Sequence, residues 1–112
     1  MKNKSIYCLS FTCLLLLACR KDKISQINST NQIVSFSGKI KPMIDNNCIS
    51  CHDAGMTAPN LATYSSVSLN ANNILNSLKG EGAKLMPLGG PKLNESIINN
   101  FSAWINQGKQ NN

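Results

Sequence analysis

Aromatic residues are scarce in this 112-residue chain: one Trp, two Tyr and three Phe make up 5% of it. Hydrophobic residues reach 42%, but many of them fall in the first eighteen positions, so the remainder is thin in core material. One domain fits this length and two do not. A domain with so little to bury is marginal unless a disulfide, metal or cofactor supplements its core. Acidic residues number only five. Asp45, Asp53, Glu81 and Glu95 are scattered rather than paired, and each reads as a helix-end or solvated charge. No constellation of acid, base and nucleophile emerges, so the chain is not expected to be an enzyme. No run alternates apolar and polar residues, which removes strands and leaves an all-α reading. There is no dense basic block and no interleaving of basic with aromatic residues, which argues against nucleic acid.

What is present begins with a leader. Lys2 and Lys4 precede an apolar run from Ile6 to Ala18, the pattern of a signal peptide. The run is too short for a membrane-crossing helix, which needs roughly 20 apolar residues, and it carries Ser10 and Thr12. It ends in Leu16-Leu17-Ala18-Cys19, which resembles the lipobox of bacterial lipoproteins, with Leu17 departing from the commonest pattern. That resemblance implies cleavage after Ala18 and a lipid on Cys19; an ordinary secretory signal with an incidental cysteine is the alternative. Loss of residues 1–18 removes Lys2, Lys4, Cys8 and Cys13 but no acid, taking the formal charge from +6 to +4. Solvated lysines that keep the domain soluble account for that excess, with steering of an acidic protein partner as the other reading.

Residues 19–32 read as a flexible tether. The stretch RKDKISQINSTNQ is polar and aperiodic, and about 13 residues of flexible coil would hold a domain some 20 Å from its anchor. The folded part is expected over 33–112. Ile33, Phe36, Ile40, Met43 and Ile44 recur at helical spacing, with Pro42 either kinking that helix or opening a second piece. DAGMTAPNLAT is a loop, and a weak second helix is expected over 70–78 with Ile74, Leu75 and Leu78 on one face. GEGAKLMPLGGPKL holds four glycines and two prolines in fourteen residues and is an irregular surface loop. The last helix is the clearest: Asn94 caps it, Glu95 suits its positive end, Ile97, Ile98, Phe101, Trp104 and Ile105 form its apolar stripe, and Gly108 ends it. Phe101 and Trp104 are assigned to the core, against the Ile33-Phe36-Ile40 face.

The reactive side chains are concentrated in Cys48-Ile49-Ser50-Cys51-His52, which contains the chain's single histidine. A closed zinc site needs four ligands, and the mature chain adds only Cys19 to these three. A thioredoxin-like redox pair belongs after a strand, and none is visible. CxxCH is the attachment motif of haem c. Residues three apart share a helical face, so both cysteines can reach the two vinyl groups on one porphyrin edge, and His52 is then placed beneath the iron. Attachment of this kind occurs outside the cytoplasm, in keeping with the leader.

From about Phe36 to Gly108 the chain resembles a small class I c-type cytochrome, particularly the cytochrome c domains common in environmental bacteria. The likeness rests on KIKPMIDNNCISCH, the APNL loop followed by Leu61-Ala-Thr-Tyr64, the MPLGGPKL loop and a closing helix ending in AWINQGK. It implies a small cytochrome c-like fold, with about three helices and long loops wrapped around one haem c held through Cys48 and Cys51. It also implies His52 and Met86 as the iron's axial ligands. Elimination agrees on Met86: Met56 lies four residues after His52 and Met43 on the helix leading into the motif, whereas Met86 sits 34 residues downstream in a loop long enough to reach the other face. Met86 packed as core is the alternative. By the same resemblance the Pro59 carbonyl accepts a hydrogen bond from His52, although Ala58 replaces the family's glycine, and Leu61 packs on the haem.

The expected function is therefore monohaem electron transfer between Fe(II) and Fe(III), by a monomer serving redox partner proteins that the sequence does not identify. A haem-based sensor or a peroxidase-like protein with a labile sixth ligand is the alternative. The expected place is the cell envelope, anchored to a membrane through Cys19. By resemblance to lipoprotein sorting rules, Arg20 rather than an aspartate beside the anchor implies the outer membrane, facing periplasm or cell surface.

Overall fold

The computed structural model describes residues 32–112. The leader of residues 1–18, Cys19 and residues 19–31 of the tether lie outside the described residues. The regular structure of the described part is all helix, with no strand. A π-helical turn, Phe36–Ile40, runs into α1, Lys41–Asn47; α2, Ile49–His52, is a single turn; α3 spans Tyr64–Lys79 and α4 Glu95–Asn106.

Pro42 explains the first break. With no N–H to donate, it belongs in the opening turn of a helix, where no intrahelical partner is required. The chain places it in the first turn of α1 and reaches it through wide turns: Lys41 N–H bonds the Phe36 carbonyl and Ile40 N–H the Ser35 carbonyl, each five residues back. Of the two roles open to Pro42, the start of a second piece is the one adopted. The exposed N–H groups at the head of this turn are capped from within and from afar. The Ser35 hydroxyl accepts from Gly38 N–H at 3.1 Å, and Asn112 takes Phe36 N–H on its side-chain oxygen at 2.9 Å and Ser37 N–H on its carbonyl at 2.8 Å.

α3 is longer than its apolar pattern predicts, beginning at Tyr64 rather than Asn70. Its signal was chemical rather than hydrophobic: the Thr63 hydroxyl accepts from Ser66 N–H and caps the helix. The buried positions are Val67, Ala71, Ile74 and Leu78, a stripe in which alanine contributes little to any hydropathy pattern; Leu75 is only half-buried. Gly80, at φ 73°, closes α3 with a left-handed residue that lets Glu81 N–H return to the Asn76 carbonyl. α4 is capped as expected, Asn94 accepting from Ile97 N–H at 3.0 Å.

The core lies between the π-turn and α1 on one side and α3 and α4 on the other. Ile44, Val67, Phe101 and Trp104 are fully buried within it. Trp104 sits 5.6 Å from both Phe36 and Phe101, ring centroid to centroid, and its indole N–H donates to the Gln110 carbonyl at 2.9 Å. Ile33 does not join them. It is 60% exposed, and Val34 is buried instead, held by a hydrogen bond from its N–H to the Gln107 side chain at 2.8 Å. The expected three helices become four because the turn carrying the CISCH sequence is separated from α1 at Cys48, whose φ of −122° is not helical.

Truncating the indole at this aromatic centre leaves a large cavity. Trp104→Ala should destabilise the domain by about 3–5 kcal/mol in denaturant titration. A loss below about 1 kcal/mol would contradict the packing described.

Candidate functional site

The CISCH turn is closed by its own backbone: Cys51 N–H and His52 N–H both bond the Cys48 carbonyl, at 3.1 and 2.9 Å, and Cys48 N–H bonds Ile44 at 2.8 Å. The two thiols therefore leave one helical turn three residues apart. Cys48 is half-buried, and burial pushes its thiol up from 9.0 to about 11, so it stays protonated at neutral pH; Cys51 is exposed.

The loop that follows folds back on this turn. Thr57 N–H donates to the Cys51 carbonyl at 3.0 Å and Leu61 N–H to the His52 carbonyl at 2.6 Å, which pins both ends of the segment between them. Within it the Pro59 carbonyl lies 3.0 Å from His52 Nδ1. A carbonyl oxygen only accepts, so Nδ1 carries the hydrogen and in the neutral ring Nε2 keeps its lone pair. The alanine at position 58 does not prevent the loop from delivering this carbonyl. Asn60 fastens the far end, its side-chain oxygen accepting from Ala62 N–H at 2.8 Å and its carbonyl from the Ser66 hydroxyl, so the loop is tied to the first turn of α3.

On the other side, Gly80 turns the chain out of α3 and Met86 N–H returns to the Ser77 carbonyl at 3.0 Å. This bond, with that of Glu81 N–H to the Asn76 carbonyl, ties the Met86 loop to the helix.

Between these elements lies a cavity of about 430 Å3, within the roughly 300–1,000 Å3 of small-molecule and cofactor sites. Cys48, Cys51, His52, Pro59, Leu61 and Met86 all line it. Leu61, only 4% exposed, belongs to the core as well. The other methionines are placed elsewhere: Met43 is buried against a separate hollow beside α1, and Met56 is 61% exposed on the loop surface. The sequence predicts a helix over 70–78 and no site there, yet Asn70, Asn73, Ile74, Ser77 and Leu78 form one wall of the cavity. The i, i+3, i+4, i+7, i+8 spacing from Asn70 was their one signal, and it is hidden because three of the five are polar.

The donor set fits a haem c. It offers two thiols on one turn, an imidazole with a free Nε2 and a thioether, around a space whose remaining lining includes Ala58, Pro87 and Leu88. It does not fit a closed zinc site, since among the described residues no three His, Cys, Asp or Glu side chains are grouped so that they could hold one metal ion. Among the described residues no helix is long and apolar enough to cross a membrane. Comparison with protein-family models, with curated proteins and with solved structures found no match to this chain.

Proposed function

We propose that this protein is a monohaem c-type cytochrome that carries single electrons in the cell envelope. The observation that carries this reading is the convergence of Cys48, Cys51, His52 and Met86 on one cavity, with His52 Nδ1 already hydrogen-bonded to Pro59 at 3.0 Å. The first three are neighbours in the sequence, whereas Pro59 and Met86 reach the same cavity on two separate loops.

The Cys48 and Cys51 thiols would each add across a vinyl group, sulfur to one carbon and the proton to the other, so the attachment consumes no oxidant. His52 would ligate through Nε2, and its bond to Pro59 holds the ring orientation and raises its basicity. Met86 would supply the sixth ligand through its thioether, which favours a higher potential than a second imidazole. When bound, the haem supplies the one-electron exchange between Fe(II) and Fe(III). The protein's part is to fix both ligands, exclude an open coordination position and shelter the ring with Leu61, Ile74 and Leu78. In this reading the fold is of the small cytochrome c kind, Cys19 bears the lipid anchor after removal of residues 1–18, and residues 19–32 form the tether.

Two outcomes check this. Ferric protein should show a methionine-to-iron charge-transfer band that disappears in Met86→Ala; a native high-spin spectrum with an exchangeable water would favour the sensor or peroxidase-like alternative. Cys48→Ala combined with Cys51→Ala should leave the mature domain largely unfolded, because the haem supplies the apolar surface that so few aromatics cannot. Native-like helicity and a sharp melt in that double variant would contradict the second expectation.

A further inference from the structure

The hollow beside α1 is a second space, distinct from the cavity that holds the cysteines. It lies between the π-helical turn and α1 on one side and α4 on the other, with a volume of about 320 Å3, at the small end for small-molecule sites. At about 30 Å3 for a water-sized group, that is room for about ten non-hydrogen atoms. Ile40, Met43 and Ile97 supply its apolar lining. Ile40 and Met43 are also buried core residues, so the floor of the hollow is fixed by the packing of the domain.

Over that floor stands one charge. Lys39 lines the hollow, and among the described residues no Asp or Glu joins it. The acids nearest in sequence to its walls have their own cations: Asp45 is paired with Lys41 at 2.5 Å and Glu95 with Lys92 at 2.9 Å. Among the described residues Lys39 stands in no ion pair, and the side-chain amides of Asn46 and Asn100, which line the same space, make no hydrogen bond. A cation beside amide donors above an apolar floor suits an anion that carries an apolar body. A single positive charge matches a carboxylate, whereas a phosphoryl group carries about −1.5 to −2 at neutral pH.

We propose that this hollow binds a small organic monocarboxylate of about ten non-hydrogen atoms. Lys39, Asn46 and Asn100 hold the carboxylate, and Ile40, Met43 and Ile97 take the apolar body. Only Asn47 borders both this hollow and the larger cavity, so failure of the site leaves the haem reading standing.

The test is an NMR titration of the purified mature protein near neutral pH and at low ionic strength. Benzoate is the probe, with benzamide and benzylammonium as its neutral and cationic counterparts. Benzoate should give saturable one-to-one shifts centred on residues 38–47 and 97–100, and neither counterpart should saturate. Lys39→Gln should weaken benzoate binding about fivefold, the strong end of the range for an exposed ion pair. Asn46→Asp, which places a carboxylate beside Lys39, should weaken it further; both positions are exposed, so neither change disturbs the core. Lys84 is also in no ion pair among the described residues but lies off the hollow, so Lys84→Gln should change the affinity by less than about twofold. Absence of saturation by benzoate would overturn the site. Equal binding of benzamide, shifts spread over every lysine, or undiminished affinity in Lys39→Gln would do the same.

Discussion

The hydrogen bond between His52 Nδ1 and the Pro59 carbonyl is the constraint from which the site follows. It commits one ring nitrogen as a donor, so the ring of the chain's single histidine has a fixed direction. Everything around it serves to hold that carbonyl. Leu61 is buried and bonded back to His52, Thr57 is bonded to Cys51, and Asn60 is clasped by Ser66 and Ala62 at the entrance to α3. The loop is thereby held at both ends while its sequence stays rich in residues that form no regular structure.

A chain with few aromatics must place each of them well. Phe36, Tyr64, Phe101 and Trp104 meet in one cluster, and the Tyr64 hydroxyl and Trp104 indole N–H are both satisfied by carbonyls of the last few residues, Lys109 and Gln110. That tail also caps the π-helical turn through Asn112 and grips the entering strand of chain through Gln107. The aromatic cluster is thus packed against α4, and the cavity lies against the other face of the domain, along α3. A flat apolar cofactor would finish the burial that the sequence leaves unfinished.

Much of this was legible because it depends on local chemistry. Asn94 as a cap, Gly108 as a terminator and the three-residue spacing of Cys48 and Cys51 are short-range features, and each stands where its sequence signal puts it. The start of α3 was not legible, since Ser65, Ser66 and Ser68 are indifferent helix formers and Ala71 hides a buried position from any hydropathy pattern. Nor was the exchange of Ile33 for Val34 in the core, which turns on a bond to Gln107, 73 residues away. The polar wall escaped for a related reason: Asn70, Asn73 and Ser77 look like a solvated face, and only the fold puts them on the same cavity as Met86. Local rules place ligands and caps, whereas long-range bonds decide which face becomes a site.

The central claim is covalent, so mass and colour test it together. Pyridine haemochrome spectroscopy with intact mass determination on the purified mature protein should give the spectrum of a haem joined through two thioethers. The mass should be that of residues 19–112 plus one haem and the lipid on Cys19, with no free thiol at Cys48 or Cys51. Colourless protein in which both of those sulfurs still react with a thiol reagent would contradict the account.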